Sequence, residues 1–123
     1  AIAYFGLTRS LSSIICNLYV RLYEPLREAG LVVDSYLHTY DLKQIHTTSR
    51  NPEERAQSQL LNPHEHQLLP LKAVSVTNQT EYLAAVNISD YIPERKKRDP
   101  DSVLWNLVSQ YNSLEIVTDL WTQ

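Results

Sequence analysis

The sequence predicts an α/β fold: an open sheet of about three parallel strands with flanking helices, in one domain over residues 1–123. Three observations carry this. A short apolar run, "IAYFGL", stops at a glycine, and a helical period starts at once. A β-branched and aromatic run, "LVVDSYLHTY", follows that helix directly. Strand, helix and strand in roughly 40 residues form a βαβ unit, whose right-handed crossover leaves the two strands parallel.

Each element has its own signal. Residues 2–7 read as a short buried strand ending near Gly6. From Ser10 onward, Leu11, Ile14, Ile15, Leu18, Leu22 and Leu26 recur at helical spacing and give one stripe toward a core. Thr8 or Ser10 supplies a cap at the start, and Gly30 suits the end, where a left-handed residue is needed. Pro25 falls inside the pattern, so a kink or a break into two short helices is expected there. Residues 31–40 form the second strand, ending between His38 and Asp41.

The middle is less patterned. Residues 42–59 are polar and read as a loop, with "TTSRNPEER" as a loop or short helix start. "NPHEHQLL" (62–69) is a capped helical turn, with Asn62 as cap and Pro63 where its missing N–H does no harm. "LKAVSVT" (71–77) is a third strand and "QTEYLAAV" a short helix. "PERKKRDPD" (93–101) is a charged, solvated loop. A final helix follows, capped by Asp101 or Ser102. Leu104, Leu107, Val108, Tyr111, Leu114, Val117 and Trp121 are expected on its core face.

Bulk properties narrow the partners. A net charge of −3 provides no field for nucleic acid, and none is expected as a partner. No stretch approaches the roughly 18–20 apolar residues of a membrane span. The single Cys16 excludes an internal disulfide and a thiolate cluster, and is placed on the apolar face of the first helix as a buried, inert thiol. His64 and His66, with His38 and His46, lack the pairing that a zinc site requires and read as surface histidines. Both ends read as cut: the chain contains no Met, Ala1-Ile2 is already strand, and "SLEIVTDLWTQ" stops within a helical period. An excerpt of a longer protein is therefore expected.

In an open parallel sheet, ligands bind beyond the carboxyl ends of the strands. Here those ends are Gly6-Leu7-Thr8-Arg9 and His38-Thr39-Tyr40-Asp41. Gly6 permits close approach to the backbone. Thr8, Arg9 and the free N–H groups of the helix start suit a phosphate or diphosphate. His38 and Asp41 suit sugar or ribose hydroxyls. A plainer reading stands beside this one, in which Arg9 pairs with Asp41 across the strand ends and binds nothing. The pattern lacks the GxGxxG of nicotinamide dehydrogenases.

"YFGLTRSL", "DSYLHTYDL" and "RDPDSVLWNLVSQYNSLEIVTDLW" together resemble a family of glycosyltransferase-like proteins of algae, protists, plants and large algal viruses. That family is similar to the nucleotide-sugar-binding half of GT-A glycosyltransferases. The match runs in order along most of the chain, while residues 55–95 carry little of it. The resemblance implies a Rossmann-like sheet, a nucleoside-diphosphate sugar as donor and a glycan or protein acceptor. It implies that Gly6, Thr8 and Arg9 face the donor nucleotide or its diphosphate, with Asp41 near the base or ribose. Tyr111 and Ser113 match the family's Y-S-L. A divalent metal, Mn or Mg, is also implied, held by an Asp-x-Asp at the end of a hydrophobic strand. Asp99-Pro100-Asp101 follows "YIPERKKR" and precedes a helix, so it reads as a helix cap. The resemblance puts the metal motif on a strand after Gln123.

Two functions follow. One is part of a nucleotide-sugar-dependent glycosyltransferase, which implies a secretory-pathway (Golgi) lumen; the sequons at Asn78 and Asn87 would be glycan acceptors there. The other is a non-catalytic subunit that kept the fold and binds other protein subunits in an organellar or membrane assembly.

Overall fold

A computed structural model describes residues 1–8, 10–42, 44–46, 58–87 and 102–123. Three parallel strands form the main sheet: β1 (Ile2–Phe5), β2 (Ser35–Asp41) and β5 (Leu71–Asn78), in the order β1-β2-β5. β1 runs in register from Ile2 opposite Ser35 to Phe5 opposite His38. β2 and β5 run from Ser35 opposite Leu71 to Asp41 opposite Asn78, with one irregularity after Ser35. The open, Rossmann-like α/β arrangement expected from the sequence is present. Within the stretch expected to be loop, β3 (Gln44–His46) and β4 (Ser58–Leu60) pair antiparallel as a separate two-stranded ladder. The polar segment carries no two-residue alternation that would have marked strands of three residues.

The first helical segment is broken as Pro25 requires. α1 (Leu11–Leu18) passes into a π-helical turn, Tyr19–Tyr23, and then into α2 (Glu24–Glu28), with Pro25 in its first turn. Pro25 has no N–H to continue an α-helical ladder, and the widened turn absorbs the loss. α2 closes with a Schellman motif: Leu31 N–H donates to Leu26 O at 3.0 Å, and Gly30 N–H to Arg27 O at 2.9 Å. Gly30 takes φ +75°, which a side chain would strain. On this face Leu11, Tyr23 and Leu69 form the buried core, with Ile2, Tyr4, Ile15, Leu18 and Leu71 packed against them. Cys16 is exposed. It sits across the helix from Leu11, Ile15 and Leu18, so the expected burial of its thiol is corrected.

The other face is covered by α4 (Ser102–Thr122), while α3 (Gln79–Ala85) follows β5 directly. Asn78 caps α3 by accepting the N–H groups of Thr80 and Glu81. The core face expected of α4 is rotated: Val117 is buried as expected and Val108 half-buried, but the rest of the described stripe is not. Ser109, Ser113 and Val117 are buried, whereas Leu107, Tyr111, Leu114 and Trp121 are exposed, Tyr111 by 66 %. The sheet explains this, because its strands present His38, Tyr40 and Thr77 to the helix. The Ser113 hydroxyl meets His38, and the Ser109 carbonyl and Asn112 amide meet Tyr40, where leucine side chains would leave such groups unpaired.

His38 is the centre of that contact, with no exposed surface. Its Nδ1 bonds Ser113 Oγ, and its Nε2 bonds Thr77 Oγ1 at 2.8 Å. Ser113 Oγ also accepts the N–H of Gly6 at 3.0 Å. The one hydroxyl proton of Ser113 goes either to Nδ1 or to the His38 carbonyl, 3.3 Å away. Both arrangements keep the imidazole neutral with each nitrogen bonded. Tyr40 repeats the scheme, donating to Ser109 O at 2.7 Å and accepting from Asn112 Nδ2 at 2.9 Å. Among the described residues no buried side-chain polar atom is left without a partner.

Ser113→Ala removes the hydroxyl that bonds both Gly6 N–H and the His38 ring, and urea unfolding should show a loss of about 1–3 kcal/mol. Burial holds the His38 imidazole below its ordinary pKa. Below about pH 6.5 the unfolded chain therefore binds a proton that the folded chain resists, and stability falls as pH drops. NMR titration of the His38 ring should give a midpoint under that ordinary value. An unshifted midpoint would show that the ring is not enclosed as described.

Candidate functional site

Parallel pairing sends β1 and β2 to a common rim, and the chain leaves both there. Gly6 has φ +99°, and a Cβ at this position would meet no atom within 4 Å. The conformation demands glycine, and the space beside it is open. Beyond the rim lies a cleft of about 230 Å³. It is lined by Thr8 from the β1 exit, by Thr39 and Asp41 from β2, and by Asn62, His64 and His66 from the turn before β5. Two of the four residues expected at the site, Thr8 and Asp41, therefore meet at one cleft. Gly6 stands beside it, facing an apolar hollow on the α1 side and a groove on the α4 side. Arg9, with its alternative pairing to Asp41, lies outside the described residues.

His38 does not reach the rim. The sequence reading gave it to ligand hydroxyls, but it points to the α4 side and is fully committed to Ser113 and Thr77. The two-residue alternation of a strand accounts for this: Thr39 and Asp41 share one face, while His38 and Tyr40 share the other.

Two of the histidines read as surface groups, His64 (exposed) and His66, line the mouth of the rim cleft. His64 and His66 flank Glu65, where a 3₁₀ turn (Glu65–Leu68) begins. Asn62 opens the segment by accepting the N–H of His64 at 3.0 Å, as expected of a capping residue. The Nδ1–H of His66 donates to Pro63 O at 3.0 Å, which leaves Nε2 as an acceptor on the neutral ring. No local motif marks these two residues. Only the fold carries the turn back over the strand ends.

The same turn changes the reading of the helix start. Ser10 occupies the cap position of α1 but makes no side-chain cap bond. The cap comes from a distant residue: Glu65, only 6 % exposed, accepts the N–H of Ser12 at 2.7 Å. Burial acts to raise the Glu65 pKa. The N–H groups of Ser12 and Leu11 act the other way and prevail, holding the carboxyl below its ordinary value. The first-turn donors of α1, proposed above to receive a diphosphate, are thus already turned to the chain's own anion.

Among the described residues no three His, Cys, Asp or Glu side chains come together as a cation site. The rim residues present do not fit a divalent ion, and Asp99 and Asp101 lie outside the described residues. No helix among the described residues is long and apolar enough to cross a membrane. No protein-family model, curated protein or solved structure matches the chain.

Glu65→Gln keeps the size of the side chain but removes the charge facing α1, and unfolding should show a loss of about 1–2 kcal/mol. The folded pKa of Glu65 is depressed, so its contribution is complete above the ordinary carboxylate range and is lost as pH falls through the folded value. The gap between native chain and variant should therefore be full near neutral pH and close only in acid, below the ordinary carboxylate range. A gap that persists in acid would mean that the carboxylate charge is not its source.

Proposed function

We propose that this chain supplies the sugar-nucleotide-binding part of a glycosyltransferase that moves a sugar from a nucleoside-diphosphate donor to a glycan or protein hydroxyl. One observation carries the reading: Thr8 and Asp41, from the ends of neighbouring parallel strands, line one rim cleft beside a glycine with open space at its α-carbon. In open parallel sheets this is the position at which nucleotides bind. The resemblance of "YFGLTRSL" and "DSYLHTYDL" to glycosyltransferase-like sequences supports the same reading.

The cleft's chemistry assigns parts of the donor. Asp41 accepts from ribose hydroxyls, and Thr8 and Thr39 both donate and accept. His66 Nε2 adds a further acceptor. The diphosphate has no described cation in the cleft lining, and Glu65 holds the α1 start. Its charge therefore falls to Arg9, next to Thr8 in sequence, and to groups outside the described residues. A divalent ion, where the whole protein uses one, needs ligands beyond those present at this rim.

A second reading, a non-catalytic subunit bound to other proteins, is favoured by the outer face of α4. Leu107, Tyr111, Leu114 and Trp121 lie exposed there at a spacing that brings them onto one side of the helix.

Calorimetric titration of the chain with UDP, GDP and CDP, each with and without Mn²⁺, tests the first reading. Saturable binding of one nucleotide is expected, weakened roughly tenfold by Asp41→Asn. The absence of saturable binding at about 1 mM ligand, with or without the metal, would overturn it. A stable self-associated or partner-dependent state in light scattering would then favour the second.

A further inference from the structure

We propose that the groove on the α4 side of the rim binds a neutral oligosaccharide. Two hollows, of about 460 and 560 Å³, lie along α4 and meet at Gln79 and Asn106. The one nearer the rim is lined by Phe5 and Gly6 of the β1 exit, Tyr40, Gln79, Asn106 and Gln110. The farther one runs between α3 and α4 and holds Trp105.

The composition of the lining selects the ligand. Among the described residues no charged side chain lines either hollow, so a phosphate or a charged peptide would find no described partner for its charge. A purely apolar ligand would cover the carboxamides of Asn106 and Gln110 and the carbonyl oxygen of Gln79 without pairing them. Asn106 and Gln110 are one helical turn apart on α4, both are exposed, and neither side chain bonds another described residue. Gln79 donates to Ser109 Oγ at 3.0 Å, which fixes its amide and leaves its carbonyl oxygen to accept. Each carboxamide offers a donor and an acceptor side by side, the pattern that adjacent sugar hydroxyls require. Phe5, 49 % exposed, stands toward one end, and Trp105, half-buried, toward the other. Aromatic faces supply flat apolar area for the C–H face of a pyranose ring. Aromatic ends with amides between them suit a chain of sugars better than a single ring.

The groove shares Leu7 and Tyr40 with the rim cleft, so the two sites adjoin across one wall. On the glycosyltransferase reading, on which this assignment of role rests, the saccharide in the groove is the acceptor. Tyr40 is tied to Ser109 and Asn112 and forms a fixed partition.

The chain has two tryptophans, Trp105 and the exposed Trp121, so Trp121→Phe leaves one indole in the groove as the reporter. Hexasaccharides of glucose, mannose and N-acetylglucosamine are titrated without nucleotide, and the emission of Trp105 is followed. At least one should give a saturable change below about 10 mM. Asn106→Ala with Gln110→Ala should weaken it roughly tenfold or more. Because both side chains are exposed and bond no other described residue, the double variant should keep the native unfolding temperature. No saturable change with any of the three, affinity unaltered in the double variant, or a response to free nucleosides alone would overturn the proposal. Nucleoside diphosphate binding, followed separately by calorimetry, reports on the rim cleft, so either site can fail without the other.

Discussion

Ser35 through Tyr40 are buried on both faces of β2, and only Asp41 at the strand's end is exposed to water. Four of those six side chains carry a hydroxyl, and a fifth is an imidazole. A strand of this kind survives only if both covering layers bring matched partners, since each orphaned group costs about 1–3 kcal/mol. Tyr23 answers Ser35 from the α1–α2 side, at 2.8 Å, and itself bonds Tyr4 of β1. Ser113, Thr77, Ser109 and Asn112 answer His38 and Tyr40 from the other side. Satisfying β2 therefore fixes where α4 lies and how it is rotated. Ser113 is the tightest constraint, because it serves the helix, the imidazole and the backbone of Gly6 at once.

That constraint explains which parts of the fold were legible in the sequence. The βαβ unit rests on local signals: a glycine at each exit, a proline where the helix breaks, and a β-branched run for β2. The structure follows the first two, which act through backbone sterics within a few residues. The second strand, expected over residues 31–40, starts only at Ser35 and leaves Val32 and Val33 outside it. The rotation of α4 has no such signal. Leu107, Tyr111, Leu114 and Trp121 repeat at helical spacing, and hydrophobic periodicity alone turns that stripe inward. The surface it would have met is polar, a fact held by His38 and Thr77 many residues away. Cys16 is a smaller case of the same kind, since its neighbours in sequence are apolar while its position on the helix is not.

The candidate site divides along the same line. Thr8 and Asp41 follow from strand ends, which the sequence marks. His64, His66 and Glu65 reach the rim only because the turn before β5 folds back over α1, a tertiary event that no short motif encodes. Glu65 is the most consequential of these. The sequence leaves the start of α1 with unsatisfied donors and a plausible local cap in Ser10, yet the donors are met by a carboxylate 53 residues from Ser12. A buried acid beside a helix start looks unfavourable from composition, and becomes favourable once the N–H groups converge on it.

The two faces of the rim consequently present different chemistries to solvent. On the α1 side, Glu65 has consumed the positive end of the helix, and Asp41 adds a second carboxylate nearby. The cleft there is rich in acceptors and favours a ligand that brings hydroxyl donors. On the α4 side, His38 and Tyr40 are held in neutral hydrogen bonds, and the groove above them is lined, among the described residues, by amides and aromatic faces. Among the described residues neither surface supplies a lysine or arginine to a bare anion. If a diphosphate is bound at this rim, its charge must be met by groups that approach from outside these two surfaces, and Arg9 is the nearest in sequence. The described residues would then orient the two sugar-bearing ends of a reaction, and the neutralisation of the leaving group would fall to the remainder of the protein.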